Sequence, residues 1–599
     1  MRQGKGSGED CSYKKGTWNL TMKGIRLSLL LFLIVFFCGC RREKIVTLEL
    51  IATSDVHGNL FPFDFSDGKG TECGGSLARV SSYLGRERKN FGKNLLYFDL
   101  GDQLQGNALT YYDRTAEYNG SSLPAEVLNY LGCDASAAGN HDIEAGIPTL
   151  DRFASACKHP VLCANLFYSD TQVTYFDPYV ILEREGIRIA VVGMTTPYVQ
   201  CKLAPSVMEH LEVRGVEESS EVLLKYIKET ENPDVVIGLF HSGLEGGKEG
   251  DVFAENEALA TAARVPGYDV VFYGHDHTPY CGKVADCNGD SVLLINPGPY
   301  ADNVARVRLS IGIKGDSVIS CHAEGMLCDI SEEKSDSRLM DAYRDRIESV
   351  WHYQDSVVGK TDFDIDSREA LCGPSYLTDY LNNAIMRGVN CEIALSSPYD
   401  AEFCIPAGNV TMRDLQKLYP YENQISAVIL KGSDVDRILE YSSSMWMNTI
   451  KSDNDTLLNM ARTDTGYALK NTPFDFLAAY GVNYTVDVTK MPGDRVTIVS
   501  MSDGTPFDPD KSYRVGMSSF LASGGYVPFC NSLGIAAPAL RRKEMFTTNA
   551  DFRFHLITNF AVNTENGMAV HIERAGNWKL VPENIVQIAL ERDMNLLGY

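Results

Sequence analysis

The sequence predicts an α/β fold in two units, on three observations. Short apolar runs alternate with amphipathic segments, the pattern of strands joined by helices. Several of those runs end in Asp, His or Asn, at the carboxyl edge of a sheet, where ligands bind. Past residue 325 a charged, helical stretch intervenes before a second alternating region.

The elements follow in order. "IVTLELI" (45–51) reads as a buried strand and runs into "ATSDVHGNLFPF" (52–63), which sets Asp55 beside His57. "GSLARVSSYLGRERKN" has helical period, and "NLLYFDLGDQLQGN" (94–107) is a strand ending at Asp102. "PAEVLNYLG" is helical, and "ASAAGNHDIEAG" (135–146) is a small-residue strand ending at Asn140 and His141. "RIAVVGMTTP" is a strand, "VEESSEVLLKYIKETEN" a helix, and "DVVIGLFHSG" (234–243) a strand closing on His241. "YDVVFYGHDHTPY" (268–280) delivers His275 and His277, and "SVLLINPGPY" is a further strand. A lone histidine after a strand is ordinarily a satisfied surface or core residue. Five of the chain's 11 histidines fall in these positions, on ordered motifs, and that concentration points to a ligand site.

Composition narrows the chemistry. The 599 residues are 44% hydrophobic and 22% charged, an ordinary globular balance. A formal charge of −24 argues against a nucleic-acid duplex as partner, since a polyanion needs a basic surface. A phosphate-handling site here must carry its positive charge locally, and a metal would do that. Imidazole, carboxylate and amide donors without thiolates suit Zn, Mn, Co or Fe(II). A shared carboxylate holds two such ions about 3.5–4 Å apart, close enough to clamp a phosphoryl group and ionise water between them.

Residues 1–40 read as a leader. "MKGIRLSLLLFLIVFFCGCRREK", from Met22, has a basic start and an apolar run from Leu27 to Phe37. Met22 is the expected initiator. Gly39-Cys40 resembles a bacterial lipobox, which implies cleavage before Cys40 and a lipid on its thiol; an uncleaved anchor is the alternative. Of 16 cysteines, removing Cys11, Cys38 and Cys40 leaves an odd number with no C-x-x-C spacing. Cys281 and Cys287 are candidates for a local disulfide. Cys133, Cys163 and Cys391 sit in apolar surroundings, as small buried residues do.

The ordered blocks D-x-H, GD, GNHD, H and GHDH resemble the calcineurin-like metallophosphoesterases. The resemblance implies a four-layer β-sandwich flanked by helices, with two metals in it. Asp55, His57, Asp102 and His277 would hold one metal, and Asp102, Asn140, His241 and His275 the other, with Asp102 bridging. His141 would support the phosphoryl oxygens and the departing alkoxide. The nucleotidase branch orients this histidine with an acid three residues on, commonly Asp; Glu144 takes that place here, where a solvated helix-start residue is the bland reading.

Beyond "DISEEKSDSRLMDAYRDRIESVWHYQDSVV" (329–358), helices are expected at "YLTDYLNNAIM" and "SDVDRILEYSSSMW", and strands at "SAVILKG" and "VNYTVDVTK". This half resembles the carboxyl-terminal domain of periplasmic nucleotidases. The Gly-Gly-Ile-Arg motif of the 5′-nucleotidase branch is absent from the sequence. "LSSPYDAEFCIPAGNVTMRDLQKLYPYENQISAVILKG" (395–432) is similar instead to the branch with 2′,3′-cyclic-nucleotide 2′-phosphodiesterase and 3′-nucleotidase activity. That family stacks a base between two aromatic rings, here Phe520 of "SSFLASGGY" and Phe476 of "FDFLAAYGVNY", with Phe474 an equal candidate for the second. Gly524 and Gly525 would let the backbone approach the ligand.

The expected organisation is a leader (1–40), a metallophosphoesterase domain (45–325), a linker helix (326–358) and a substrate-binding nucleotidase domain (359–599). The expected function is hydrolysis of 2′,3′-cyclic nucleotides to 3′-nucleotides, then to nucleoside and phosphate, with His141 assisting the leaving oxygen. The alternatives are a 5′-nucleotidase or nucleotide-sugar hydrolase with the same metals, and a non-catalytic nucleotide-binding lipoprotein. The expected location is the bacterial cell envelope, lipid-anchored and facing the periplasm, as a monomer.

Overall fold

The computed structural model describes residues 43–598 except 69, 116–119, 202–209, 248–253, 316, 453, 465, 566–568 and 571–573. The leader, its lipobox and Cys40 lie outside the described residues. Among those described, no helix is long and apolar enough to cross a membrane.

The strand Lys44–Thr53 alternates its faces, because successive side chains in a strand point opposite ways. Val46, Leu48, Leu50 and Ala52 share one buried cluster, whereas Ile51 belongs to another. Its sheet runs Ser317–Asp329, Asn303–Lys314, Lys44–Thr53, Leu95–Asp99, Ala135–Ala137, Val161–Leu162. From Lys44–Thr53 onward the strands are parallel, pairing Glu49 with Leu95 and Phe98 with Ala135. A second sheet runs Tyr280–Ala285, Ser291–Asn296, Val270–Tyr273, Val235–His241, Ile187–Thr195, Tyr179–Arg184, and its central strands are parallel too.

The two sheets pack face to face through Leu50, Phe98, Ile189, Leu239, Phe272 and Ile295. Burying each such side chain contributes roughly 1.5–3 kcal/mol. Helices Leu77–Phe91 and Leu123–Leu131 cover the outer face of the first sheet. Val216–Thr230 and Ala258–Arg264 cover that of the second. Helix, sheet, sheet and helix make the four layers, and the carboxyl ends of the parallel strands converge on one edge.

The span expected as one linker helix, 326–358, is not one helix. It holds the end of the strand Ser317–Asp329 and two helices, Ser337–Ala342 and Arg344–Asp355, broken at Tyr343 (φ −112°, ψ 15°). Ile347 and Val350 of the second helix join the core of the first domain, and Trp351 stacks 4.7 Å from Phe65. Packing, rather than charge pattern, decides where each helix stops.

The second domain is built on a five-stranded sheet in the order Ala478–Tyr480, Ile393–Ser396, Ser512–Ser518, Gln424–Lys431, Glu544–Asp551. Helices Tyr376–Val389 and Phe552–Glu565 lie on one face, and Gly432–Trp446 on the other. A three-stranded sheet, Val496–Met501, Val482–Asp487 and Trp578–Val581, extends it. Across the domain boundary, Glu422 pairs with Arg114 and Arg553 lies over the Tyr111 ring at 4.2 Å, while within the second domain Glu422 pairs with Arg553 at 2.7 Å.

The local disulfide does not form: Cys281 and Cys287 are both free and exposed. Cys281 lies in the extended strand Tyr280–Ala285, and the run from Cys281 to Ala285 alone spans about 13 Å, past the reach of a disulfide. Cys163 and Cys391 are buried and Cys133 is half-buried, all with free thiols.

Candidate active site

The converging edge forces unusual backbone. Asp55 (φ 50°), His57 (50°), Asp102 (58°), His275 (78°) and His277 (54°) all adopt the left-handed region. Each such non-glycine residue costs roughly 1–3 kcal/mol and persists only where its surroundings over-determine it. Here the surroundings do. Asp55 N–H donates to Gly101 O at 3.1 Å and His57 N–H to Asp102 O at 2.9 Å. The Asp142 carboxylate accepts from four backbone N–H groups, those of Asp102, Gln103, Leu104 and Gly139, at 2.8–2.9 Å. Asp99 accepts from Thr53 Oγ1, Gln103 Nε2 and Gly101 N–H at 2.8–3.1 Å. Burial pushes Asp142 up to about 6 and Asp99 up to about 7. Gly139 is required where it stands, since a Cβ there would lie 2.2 Å from Asp102 Oδ1.

Within this frame the ring nitrogens and carboxylates converge. His241 Nε2 lies 3.1 Å from Asp102 Oδ2, 3.1 Å from Asn140 Oδ1 and 3.9 Å from Asp55 Oδ1. His57 Nε2 lies 3.1 Å from His277 Nε2 and 3.9 Å from Asp102 Oδ2. His277 Nε2 is 3.4 Å from Asp55 Oδ1. Two overlapping groups, Asp55-His57-His277 and Asp55-Asp102-His241, each bring their ligand atoms within 4.8 Å of one another.

His275 stands apart from those groups. Its Nε2 pairs with Glu255 Oε1 at 3.0 Å, its backbone N–H donates to the Asp55 carboxylate at 3.1 Å, and its ring centroid is 5.4 Å from that of His241.

The protonation pattern fits a cation. His57 Nδ1 donates to Gln105 O and His241 Nδ1 to Leu100 O, both at 2.8 Å, which turns each Nε2 towards the cluster, where a metal would displace any proton on it. Asp55 and Asp102 are fully buried; burial opposes their charge, yet His241 holds both below the usual carboxylate range. Burial opposes the charge of His241 as well, but Asp102 and Asp55 raise it to about 10. Burial lowers His57. Two buried carboxylates demand positive charge beside them, which protonated His241 supplies in the absence of a metal, and at most one of the facing His57 and His277 nitrogens can donate. The Asp/His cluster therefore fits divalent metal ions.

His141 borders the cluster. Its backbone N–H donates to Asp102 Oδ1 at 2.8 Å, and its ring centroid is 5.3 Å from that of His57. Its Nδ1 lies 3.0 Å from Glu144 Oε2 and 3.1 Å from Gln105 Oε1. Glu144 also accepts from Asn140 Nδ2 at 2.9 Å, so one carboxylate touches a candidate ligand and its neighbouring histidine together. Gln105, Glu255 and Asp142 were not singled out from the sequence. Nothing in their spacing separates them from other polar residues, because their partners are distant along the chain.

From His141 a cavity of about 630 Å³ runs into the second domain. Gln105, His141 and Glu144 line one end; Phe474, Phe520 and Tyr526 line the other. The Phe474 ring is 6.0 Å from that of Phe520 and 5.0 Å from that of Tyr526. Phe476 is not in this cavity. It is 3% exposed and packs between Trp446 and Trp578, with ring centroids 5.4 and 5.6 Å away. The short helix Pro473–Asp475 turns Phe474 outward and the following chain inward. Gly525 lines the cavity, and a Cβ on it would strike the Phe520 ring at 2.4 Å. Gly524 (φ 76°) packs on Ala537 instead.

Comparison with known proteins agrees with this architecture. Residues 48–279 match the model of the calcineurin-like phosphoesterase family, and residues 357–529 that of the 5′-nucleotidase C-terminal domain. The trifunctional nucleotide phosphoesterase protein YfkN of Bacillus subtilis (strain 168) is 25% identical over 541 residues. That match covers 80% of this chain but 36% of the relative, so this chain spans only about a third of its length. A 2′,3′-cyclic-nucleotide 2′-phosphodiesterase/3′-nucleotidase of Salmonella typhimurium (strain LT2) is 24% identical over 597 residues, 90% of this chain and 89% of that one. The structure of Haemophilus influenzae NAD nucleotidase (NadN) shares the fold, with TM-score 0.58 and 18% identity over 90% of this chain and 99% of that one. The chain is therefore a two-domain metallophosphoesterase of the nucleotidase family, a calcineurin-like phosphoesterase domain joined to a 5′-nucleotidase C-terminal domain, and a metal-dependent phosphoric ester hydrolase.

Proposed function

We propose that the protein hydrolyses 2′,3′-cyclic nucleotides to 3′-nucleotides, and these to nucleoside and phosphate. The observation that carries the reading is one cavity joining His141 and Glu144 to the rings of Phe474 and Phe520, which are tilted 53° to each other. Among the described residues lining it there is no Lys or Arg, while Glu144 and Glu422 are present. Such walls favour a substrate whose only anion is the reacting phosphoryl group over a nucleoside polyphosphate or nucleotide sugar.

Two divalent ions, Zn, Mn, Co or Fe, are assigned to the cluster. Asp55, His57, Asp102 and His277 would hold one; Asp102, Asn140, His241 and His275 would hold the other. When bound, they neutralise the phosphoryl oxygens and make water a stronger acid. The chain's own groups do the rest. Phe474 and Phe520 hold the base, a stack contributing roughly 1–3 kcal/mol. Glu144 and Gln105 fix Nδ1 of His141, and His141 Nε2 gives its proton to the departing 2′-oxygen as the water oxygen bonds phosphorus. Glu255 fixes His275 from outside the cluster.

The leader and the relatives' nucleotidase names support an exported protein, lipid-anchored at Cys40 and facing the periplasm, with domains at 45–325 and 359–599. Side-by-side turnover of 2′,3′-cyclic AMP, 3′-AMP and 5′-AMP by the metal-loaded protein tests the substrate. Preference for 5′-AMP selects the 5′-nucleotidase reading. No turnover of any of the three, with fewer than two ions per chain, selects a non-catalytic binding protein.

A further inference from the structure

The edge of the first domain opposite the metal cluster is where the strand Lys44–Thr53 begins. Val46 and Leu48 of that strand point into the core between the sheets, so Ile45 points outward, and it is 71% exposed. Ile45 pairs with Gly312 in the neighbouring strand, and Gly312 pairs with Ser320 in the next. A bulge between Gly312 and Ile313 leaves Ile319 as the extra residue, its Cγ1 3.5 Å from where a Cβ on Gly312 would stand. Ile45 and Ile319, the latter 52% exposed, therefore flank the bare backbone of Gly312 on one face. Single exposed apolar side chains are ordinary, whereas two brought together across three adjacent strands make a patch.

The rim of this patch is basic. Lys89 lies in the last turn of the helix Leu77–Phe91, Lys93 in the turn before the strand Leu95–Asp99, and Lys314 ends the strand Asn303–Lys314, whose Ile313 pairs with Lys44. All four lysines are exposed. Against them stand Glu185, 3.2 Å from Lys44, and Glu43, 3.7 Å from Lys314. That local balance reverses the sign of a chain whose formal charge is −24. Beside the patch is a hollow of about 330 Å³, lined by Lys44, Glu185, Asn90, Asn94 and Phe91. Apolar side chains ringed by lysines suit a membrane interface, where headgroup phosphates meet the first methylenes of the acyl chains.

The preceding chain says what covers this edge. Lys44 is four residues from Cys40, a reach of at most about 14 Å, and Arg41 and Arg42 add two cations between them. We propose that this edge is the membrane-facing surface of the anchored protein, with Ile45 and Ile319 in the headgroup layer of a phospholipid bilayer and the lysines on its phosphates. The strand Lys44–Thr53 then acts as a spacer. Its 10 residues rise about 33 Å, and the metal cluster at its far end opens away from the bilayer. The site takes its substrate from solution, and the phosphoesters of the supporting membrane lie out of its reach. This rests on the lipid anchor proposed above and adds the surface that the anchor seats.

The test uses the full chain, expressed with its leader and reconstituted into vesicles of phosphatidylethanolamine and phosphatidylglycerol. Some of the lipids carry bromine high on the acyl chain, which quenches nearby indoles. Ile45→Trp and Ile319→Trp report on this edge, and Tyr280→Trp, at a position paired with Asn296, reports on the carboxyl edge. The wild type supplies the background of Trp351, Trp446 and Trp578. The added fluorescence is expected to be quenched in the two isoleucine variants and not in Tyr280→Trp. Equal quenching of all three, or none at either isoleucine position, would overturn the proposal, and quenching indifferent to Lys89→Glu with Lys93→Glu would remove the lysines from it. A dimer in solution that Ile45→Asp dissociates would assign the patch to a second copy and overturn it too. If mass analysis finds no lipid on Cys40, the anchor reading fails and the same vesicles decide the surface alone. Binding of the unlipidated chain that Ile45→Asp and Ile319→Asp abolish supports it; no binding, or binding that both leave unchanged, overturns it.

Discussion

The two ends of the cleft solve different problems with different materials. At the metal end, Asp55, Asp102 and His241 are fully buried, the backbone is strained, and nearly every polar atom is held by another. At the base end, Phe474, Phe520 and Tyr526 meet at ring separations of 5.0–6.0 Å around open space. The first end must hold charge at fixed geometry; the second needs only flat faces at roughly the right spacing. Precision at the metal end is enforced by hydrogen bonds from distant loops. On the proposed function, the aromatic end would tolerate different bases, since stacking is satisfied by any of them.

The sharpest way to break this contrast is at Asp102, the proposed bridging carboxylate. Asp102→Ala is expected to lower turnover of bis-p-nitrophenyl phosphate by at least about 10³-fold, with metal content per chain falling below that of the wild type. Retained turnover would remove the metal end from the chemistry. His141→Ala is expected to lower kcat by about 10²–10⁴-fold with metal content unchanged, which separates proton transfer from metal holding.

At the base end the effects move from the rate constant to substrate binding. Phe474→Ala or Phe520→Ala is expected to weaken binding of the cyclic nucleotide, read as a rise in its KM by about 5- to 100-fold. That corresponds to roughly 1–3 kcal/mol of stacking, and bis-p-nitrophenyl phosphate, which has no base, should be unaffected. Phe476→Ala should do the opposite. It leaves substrate binding unchanged and costs about 3–5 kcal/mol of stability, read as a lower denaturation midpoint, because it opens a cavity beside Trp446 and Trp578.

The smallest effect concerns pH. His159 is buried against Ser136, beneath the metal end, and burial lowers it from 6.5 to about 4. Its folded-state value lies below its unfolded one, so its neutral form favours folding fully above pH 6.5, and that contribution is lost as pH falls towards 4. His159→Gln is expected to flatten the stability profile between those limits by up to about 2 kcal/mol, measured by urea denaturation at pH 7 and pH 5.

The strand-and-helix alternation of the first domain was legible because period two and period 3.6 are local properties of the chain. So was the gathering of Asp55, Asp102, Asn140 and His241 at one edge, since parallel strands must present their carboxyl ends together. Other features were not legible. The break at Tyr343 depends on how Ile347 and Val350 meet the first domain, and charge pattern carries no trace of it. The unmade disulfide between Cys281 and Cys287 depends on the chain between them being extended rather than turned.

By itself, then, the sequence determined the candidate ligand residues, their order and the strands that carry them, because each motif lies within a few residues of its strand end. Only the tertiary structure decided that Phe474 rather than Phe476 lines the cavity, that Gln105 and Glu144 share His141, and that Tyr399 borders two cavities of the cleft. Those choices depend on contacts between residues far apart along the chain, and such distances are set only when the layers pack.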